Sequence, residues 1–295
     1  MRPVILIVLT LLLAPLPGAA RPAFYWSTTM GTFVEADYLS FEESDFKREP
    51  GHTGGNRSHI VGQYDFGSDS GWVLGLGHEY NALDIDTTDN SPPQANGDLH
   101  TLHLATQWHT DMGVGQLRLA LAPALSVSSN GLKNPDELDS ESAQLWGAAI
   151  YSQPVNTVRW LAGAAHDYRF GEGRVYPVAG LEWQSGALTL RATYPDLYLS
   201  IEPGPRWQLT FSVAPDGNEW LAYDRELENE DEFQREAWQA DLRLTFRFGA
   251  GLRLGISAGY HWDQEWNFRR QDGTLARLDS EDSTLFGVHL GWHRP

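Results

Sequence analysis

The chain has 295 residues with 39 acidic and 21 basic side chains, and its net charge of −18 excludes a broad nucleic-acid-binding face, which needs positive charge against phosphates. Aromatic residues make up 12% of it, including 12 Trp, too much bulky apolar surface for a disordered polymer. The absence of Cys excludes disulfide scaffolds, thiolate metal sites, thiol catalysis and Cys-linked lipid anchors.

Residues 1–20 read as an export signal cleaved after Ala20. Arg2 precedes the apolar run Val4–Leu13, followed by Pro15, Pro17 and the small-residue exit Gly18-Ala19-Ala20. The run is too short to cross a bilayer, and no later segment approaches the ~18 consecutive apolar residues of a membrane helix. Residues 21–295 read as a single unit.

From there the chain alternates with period two, the mark of strands with one buried face. Strands are predicted near 31–41, 57–66, 72–81, 99–109, 116–127, 143–152, 157–166 and 174–183, and then at 235–248, 252–263 and 283–292. The clearest run places Trp238, Ala240, Leu242, Leu244, Phe246 and Phe248 on one face, with Gln239, Asp241, Arg243, Thr245 and Arg247 on the other. Segments of about ten residues match a tilted membrane strand.

Short and long connections also alternate. Tight ones lie near Gly67–Gly71, Asp111–Gly115, Ser152–Asn156, Gln184–Gly186 and Gly249–Gly251. Long polar ones lie at Glu42–Asn56, Asp84–Asp98, Ser128–Glu141, Leu227–Gln234 and Asn267–Asp282. A transmembrane β-barrel has this asymmetry, with short periplasmic turns and longer external loops. Trp72, Trp108, Tyr151, Trp183, Phe248 and Trp292 cluster by the short turns, and Tyr80, Trp238, Tyr260 and Trp262 lie toward the long loops. Two belts of amphipathic rings fit two membrane interfaces.

With these features the chain resembles bacterial outer-membrane β-barrel proteins. The final segment Thr284–Trp292 is similar to the C-terminal strand of such barrels, which implies recognition by the barrel-assembly machinery. The stretch Tyr194–Pro203 resembles that of a porin-like family of unassigned function. The fold class is therefore an all-β, single transmembrane antiparallel barrel.

Both chain ends belong on the periplasmic side, so the strand number is even. Three strands are needed between 183 and the loop at 227, and 187–201 with a break, 206–213 and 219–226 supply them. The break is forced by facing, because Leu188 and Leu190 point outward at even positions while Leu197, Leu199 and Ile201 do so at odd ones. A bulge at Pro195 restores the facing. A turn there, with 219–226 moved into the outer loop, gives fourteen strands equally well. Fourteen is the prediction, with twelve or sixteen as alternatives.

If the apolar face meets lipid, the polar face meets the interior. Facing sets Arg247 opposite Arg253, with Arg243 further up the strand and Glu35 and Asp37 inward on the first strand. With Arg118, these are candidates for a charged constriction, or for a salt-bridge network that stiffens the wall. His103 and His109 share one lumenal face. The segment His52–His59 holds the Ser, His and Asn of a lipase-like set, but without an ordered nucleophile motif. Acidic outer loops offer oxygen ligands for divalent cations at Asp84, Asp86, Asp136, Glu137, Glu228, Glu230 and Asp231. A solvated, mutually repelling rim is the plainer reading.

These readings predict a passive or weakly selective channel for small solutes. Neither enzymatic activity nor a cofactor or nucleic-acid partner is expected. Outer-membrane lipid and lipopolysaccharide are its surroundings. A closed structural or adhesive barrel, or a lipid-modifying enzyme, is the alternative.

Overall fold

The computed structural model describes residues 31–67, 71–87, 97–138, 140–224, 229–269 and 275–294. The segment 1–20 expected to be an export signal, and Glu228, lie outside them. The strands are β1 (Phe33–Asp45), β2 (Gly51–Asp65), β3 (Trp72–Thr87), β4 (Gly97–Met112), β5 (Gly115–Ser128), β6 (Ala143–Val155), β7 (Val158–Asp167) and β8 (Arg174–Ser185). They continue with β9 (Leu188–Tyr194), β10 (Leu197–Gly204), β11 (Trp207–Pro215), β12 (Asn218–Asp224), β13 (Asn229–Arg247), β14 (Leu252–Arg269), β15 (Leu275–Asp279) and β16 (Ser283–His293). A short helix, α1 (Ser129–Lys133), follows β5.

Two pairs of these strands are single staves of the wall. β11 and β12 pair with β13 in one unbroken register, Pro215 opposite Trp238 and Asn218 opposite Arg235. β15 and β16 likewise follow β14 in one register. The barrel thus has fourteen antiparallel staves, closed by β1 against β16.

The turn alternative is the one that holds. The chain reverses at Pro195-Asp196, and β10 pairs with β9, setting Leu199 opposite Leu190. Reversal reconciles the outward facing of odd and even leucines without a bulge. Residues 219–224 are not a separate stave, because β12 continues β11 outward on β13, and 225–226 lie outside the described residues. Several expected loops are also strand: β1 and β2 stay paired as far as Asp45 and His52, and β2 and β3 as far as Gly51 and Thr87.

The outer wall is apolar. Leu74, Leu76, Leu104, Leu121, Leu242, Leu244, Ile256 and Phe286 stand exposed around it. Exposure of this many large apolar side chains is stable only against hydrocarbon. Tyr64, Phe66, Trp72, Trp160, Trp207, Phe248 and Trp292 are exposed near the short turns. Closure satisfies the strand edges that lipid cannot hydrogen-bond. At the other end Tyr260 is exposed, whereas Trp238 packs on Phe170 of the β7–β8 loop instead of standing free.

Inside, the structure departs from a polar lumen. Above the level of β6–β11 the sheet closes a second time, in a narrower ring. β12 stays paired with β13 and, on its other edge, bridges to β5 through Leu221 and Val127. The ring runs β12, β13, β14, β15, β1, β2, β3, β4 and β5, with Phe46 bridging Ser280 between β1 and the segment after β15. Its interior is a dry core of Leu39, Phe41, Leu83, Ile85, Leu99, Trp220, Phe233, Trp266, Phe268 and Leu285. A second apolar layer, with Ile150, Leu161, Tyr176 and Val178, lies under Phe170, where the β7–β8 loop turns inward. The narrow ring brings opposite walls into contact, so inward positions there are filled by apolar side chains and not by water.

Candidate functional site

Polar groups collect beneath the dry core, in two layers. The upper one is a buried ionic network on the joint between β11 and β12. Arg57 Nη1 donates to Asp216 Oδ1 at 2.5 Å, Arg235 Nη1 donates to Oδ2 at 2.9 Å, and His261 Nε2 lies 3.0 Å from Oδ2. Gln239 Oε1 accepts from Arg57 Nη2 at 3.1 Å. All of these residues are buried. Arg57 reaches from β2 across the lumen to the joint, so the network ties β12 to the opposite wall. At Gly217 the backbones of β13 and the β7–β8 loop approach so closely that no side chain fits. A second cluster holds the inward loop, with Arg169 donating to Asp167 (3.1 Å) and Asp196 (2.7 Å), and Tyr176 donating to Asp167 (2.5 Å).

The lower layer is a cavity of about 440 Å³. It extends to Gln63, Gln184, Gln208 and His293, near the short turns. On one wall Arg247 stands opposite Arg253. Arg247 is clasped by Glu202 (2.9 and 2.5 Å) and Gln208 (3.0 Å). Arg253 has no ion-pair partner among the described residues and faces the cavity. Beside it, His293 Nε2 lies 2.7 Å from Glu35 Oε1. His289 Nδ1 lies 2.6 Å from Asp37 Oδ1, and His59 Nδ1 is 3.6 Å from Oδ2 of the same Asp37. Arg243 Nη1 is 3.3 Å from His289 Nδ1. The far wall carries the paired positions Arg159, Glu182 and Arg191, with Arg191 over the Tyr198 ring.

The structure therefore brings Arg243, Arg247, Arg253, Glu35 and Asp37 together on one side of the cavity. Arg118 lies on β5, inward between His109 and Ile150, and is not among the residues lining the cavity. His103 lies over Gly77 and packs on Trp146. The lipase-like set does not assemble. Its segment is strand β2, where Ser58 and His59 face opposite ways, and His59 points to Asp37. The acidic loop candidates are dispersed. Asp84 and Asp86 are exposed on β3, Asp136 lies just beyond α1, and Asp231 is buried in β13. Glu137 follows Asp136, and Glu230 is placed in β13. Among the described residues, no three His, Asp or Glu side chains converge as metal ligands.

Sequence reasoning missed Asp216, Arg57, Arg235 and the Arg169 cluster. The available signal was Pro215-Asp216-Gly217, a turn signature set within a stave whose alternation resumes beyond it.

A closed antiparallel barrel with an apolar outer wall, an aromatic rim and short turns at one end is a bacterial outer-membrane β-barrel protein. No family model and no curated protein matches the sequence. Among solved structures the chain is similar to an outer-membrane channel from Pseudomonas putida, at 8% identity over 93% of this chain and 100% of that one, with a TM-score of 0.48. It is similar to the translocator domain of the autotransporter NalP from Neisseria meningitidis, at 12% identity over 91% and 90%, TM-score 0.43. It is also similar to the Pseudomonas putida toluene transporter TodX, at 10% identity over 90% and 89%, TM-score 0.32. Likeness at this level carries no functional argument, and the fold rests on the closed sheet itself.

Proposed function

We propose that this outer-membrane barrel is a channel for small polar solutes, held shut by its own strand β12. The observation that carries the reading is the placement of a charged cavity reaching toward the periplasmic turns directly beneath a plug latched by side chains. The Asp216 network is the latch: it joins β12 to β2, β13 and β14 through polar contacts that can be exchanged for water. No catalytic role is proposed for the cavity.

Planar-bilayer recording tests this. Asp216→Ala leaves Arg57 and Arg235 buried without their carboxylate, a loss of about 3–5 kcal/mol in the latch. The variant is expected to raise open probability well above wild type. Absence of current from both proteins, each folded as shown by heat-modifiable migration, overturns the channel reading.

A further inference from the structure

On the outside of the barrel, at the outer ends of β3, β4 and β5, three side chains form a hydrogen-bonded line. Ser129 Oγ lies 2.7 Å from His100 Nε2, and His100 Nδ1 lies 3.1 Å from His78 Nε2. The distances admit two assignments of protons, set by the His100 tautomer; in one of them, Ser129 O–H donates to His100 Nε2 and His100 Nδ1–H donates to His78 Nε2. This is the order of a nucleophile, its base and the group that orients the base. The three residues are half-buried. Tyr80 flanks the His100 ring at 5.1 Å between centroids, and its hydroxyl donates to Asp98 at 2.5 Å.

The position matters as much as the line. On the outer face of β3 the order toward the outer end is Leu74, Leu76, His78, Tyr80, and on β4 it is Leu104, Leu102, His100. Leu76 is 63% exposed and Leu104 48% exposed, and Leu102 pairs with His78. The line thus begins where the apolar band stops. Beyond it, toward solvent, come exposed Asp98 and Lys133, the latter one helical turn past Ser129. The ester carbonyls of a lipid lie at this boundary, between acyl chains and headgroups.

We propose that Ser129, His100 and His78 form a nucleophilic site that cleaves an acyl ester of an outer-leaflet lipid, separate from the lumen and independent of the channel reading. The acyl chain lies along Leu76, Leu102 and Leu104, and Lys133 faces the anionic headgroup. Ser129 Oγ attacks the ester carbonyl carbon while its proton passes to His100 Nε2. The carbon–oxygen bond to the alcohol breaks, and the departing alkoxide takes that proton from His100. Water then attacks acyl-Ser129, giving a proton to His100, which returns it to Ser129 Oγ as the fatty acid leaves. The balance is ester plus water to acid plus alcohol. His78 is a positioning residue, since it holds the His100 ring and touches no substrate.

The test uses the folded full-length barrel and a fluorophosphonate probe, with mass spectrometry of the labelled peptide. Label on Ser129, lost in Ser129→Ala and His100→Ala and kept in Ser185→Ala at the far end of the barrel, is expected. Fatty-acid release is then measured from phosphatidylethanolamine–phosphatidylglycerol vesicles and from vesicles carrying lipopolysaccharide. Ordinary acids identify phospholipid as the source, and 3-hydroxy acids identify lipopolysaccharide. Ser129→Ala is expected to lower release on the order of a thousand-fold or more. His78→Ala should lower kcat with little change in KM, and His78→Asp, which accepts the same N–H, should restore part of it. Folded wild-type protein that takes no label at Ser129 and releases no more acid than Ser129→Ala overturns the proposal and leaves the line as a structural contact.

Discussion

At the scale of single residues, the cavity separates partners that alternation can locate from partners that only the closed barrel supplies. Strand facing alone places Arg247 against Arg253, and the structure has that pair. Glu202, which neutralises Arg247, comes from β10, whose register depends on the reversal at Pro195-Asp196. The carboxylate Asp37 meets His289 only because the first stave closes on the last. Asp216 is still harder to find, because Arg57 reaches it from 159 residues away along the chain. The unequal treatment of the two opposed arginines has a consequence. Arg247 is neutralised by Glu202, so the field at the mouth is set by Arg253. Arg253→Glu should shift the reversal potential in a salt gradient toward cations, and Arg247→Gln should shift it less. Equal shifts, or none, would contradict this assignment of the field.

At the scale of elements, the same alternation that locates lipid-facing residues fails to describe the inside of the outer half. In β1 the inward positions run Phe33, Glu35, Asp37, Leu39, Phe41, so polarity stops at mid-strand. In β3 the inward run Glu79, Asn81 gives way to Leu83 and Ile85. Those leucines and phenylalanines were legible in the sequence, but their partner was not, because Trp220 arrives from β12, a segment readable as a stave of its own. On the outer face the reading is firmer. Leu244 is exposed between Leu209 of β11 and Ile256 of β14, deep in the apolar band. Leu244→Arg should cost on the order of 2–4 kcal/mol of folding free energy in a bilayer, as for a charge near the midplane. Equilibrium refolding into vesicles measures it, and an unchanged midpoint would place that face away from lipid.

At the scale of the whole molecule, one sheet does two things by closing at two circumferences. Fourteen staves enclose the cavity near the short turns, and the longer staves β1–β5 and β12–β15 pinch together above it around a dry core. Fold class, strand number and the lipid face were readable because they follow from local period and parity. The second closure was not, because it rests on a single bridge between β5 and β12 and on a network of distant charges. On the proposed channel reading, loss of that bridge, with the polar latch exchanged for water, opens the cavity toward the outer end.

The most direct test is single-channel recording of a barrel carrying Leu221→Cys and Val127→Cys, bridge partners in a chain that has no other Cys. The account predicts no conductance while the two are joined as a disulfide, and channel openings once reductant releases β12. Equal conductance in both states, or none in either from folded protein, would contradict it.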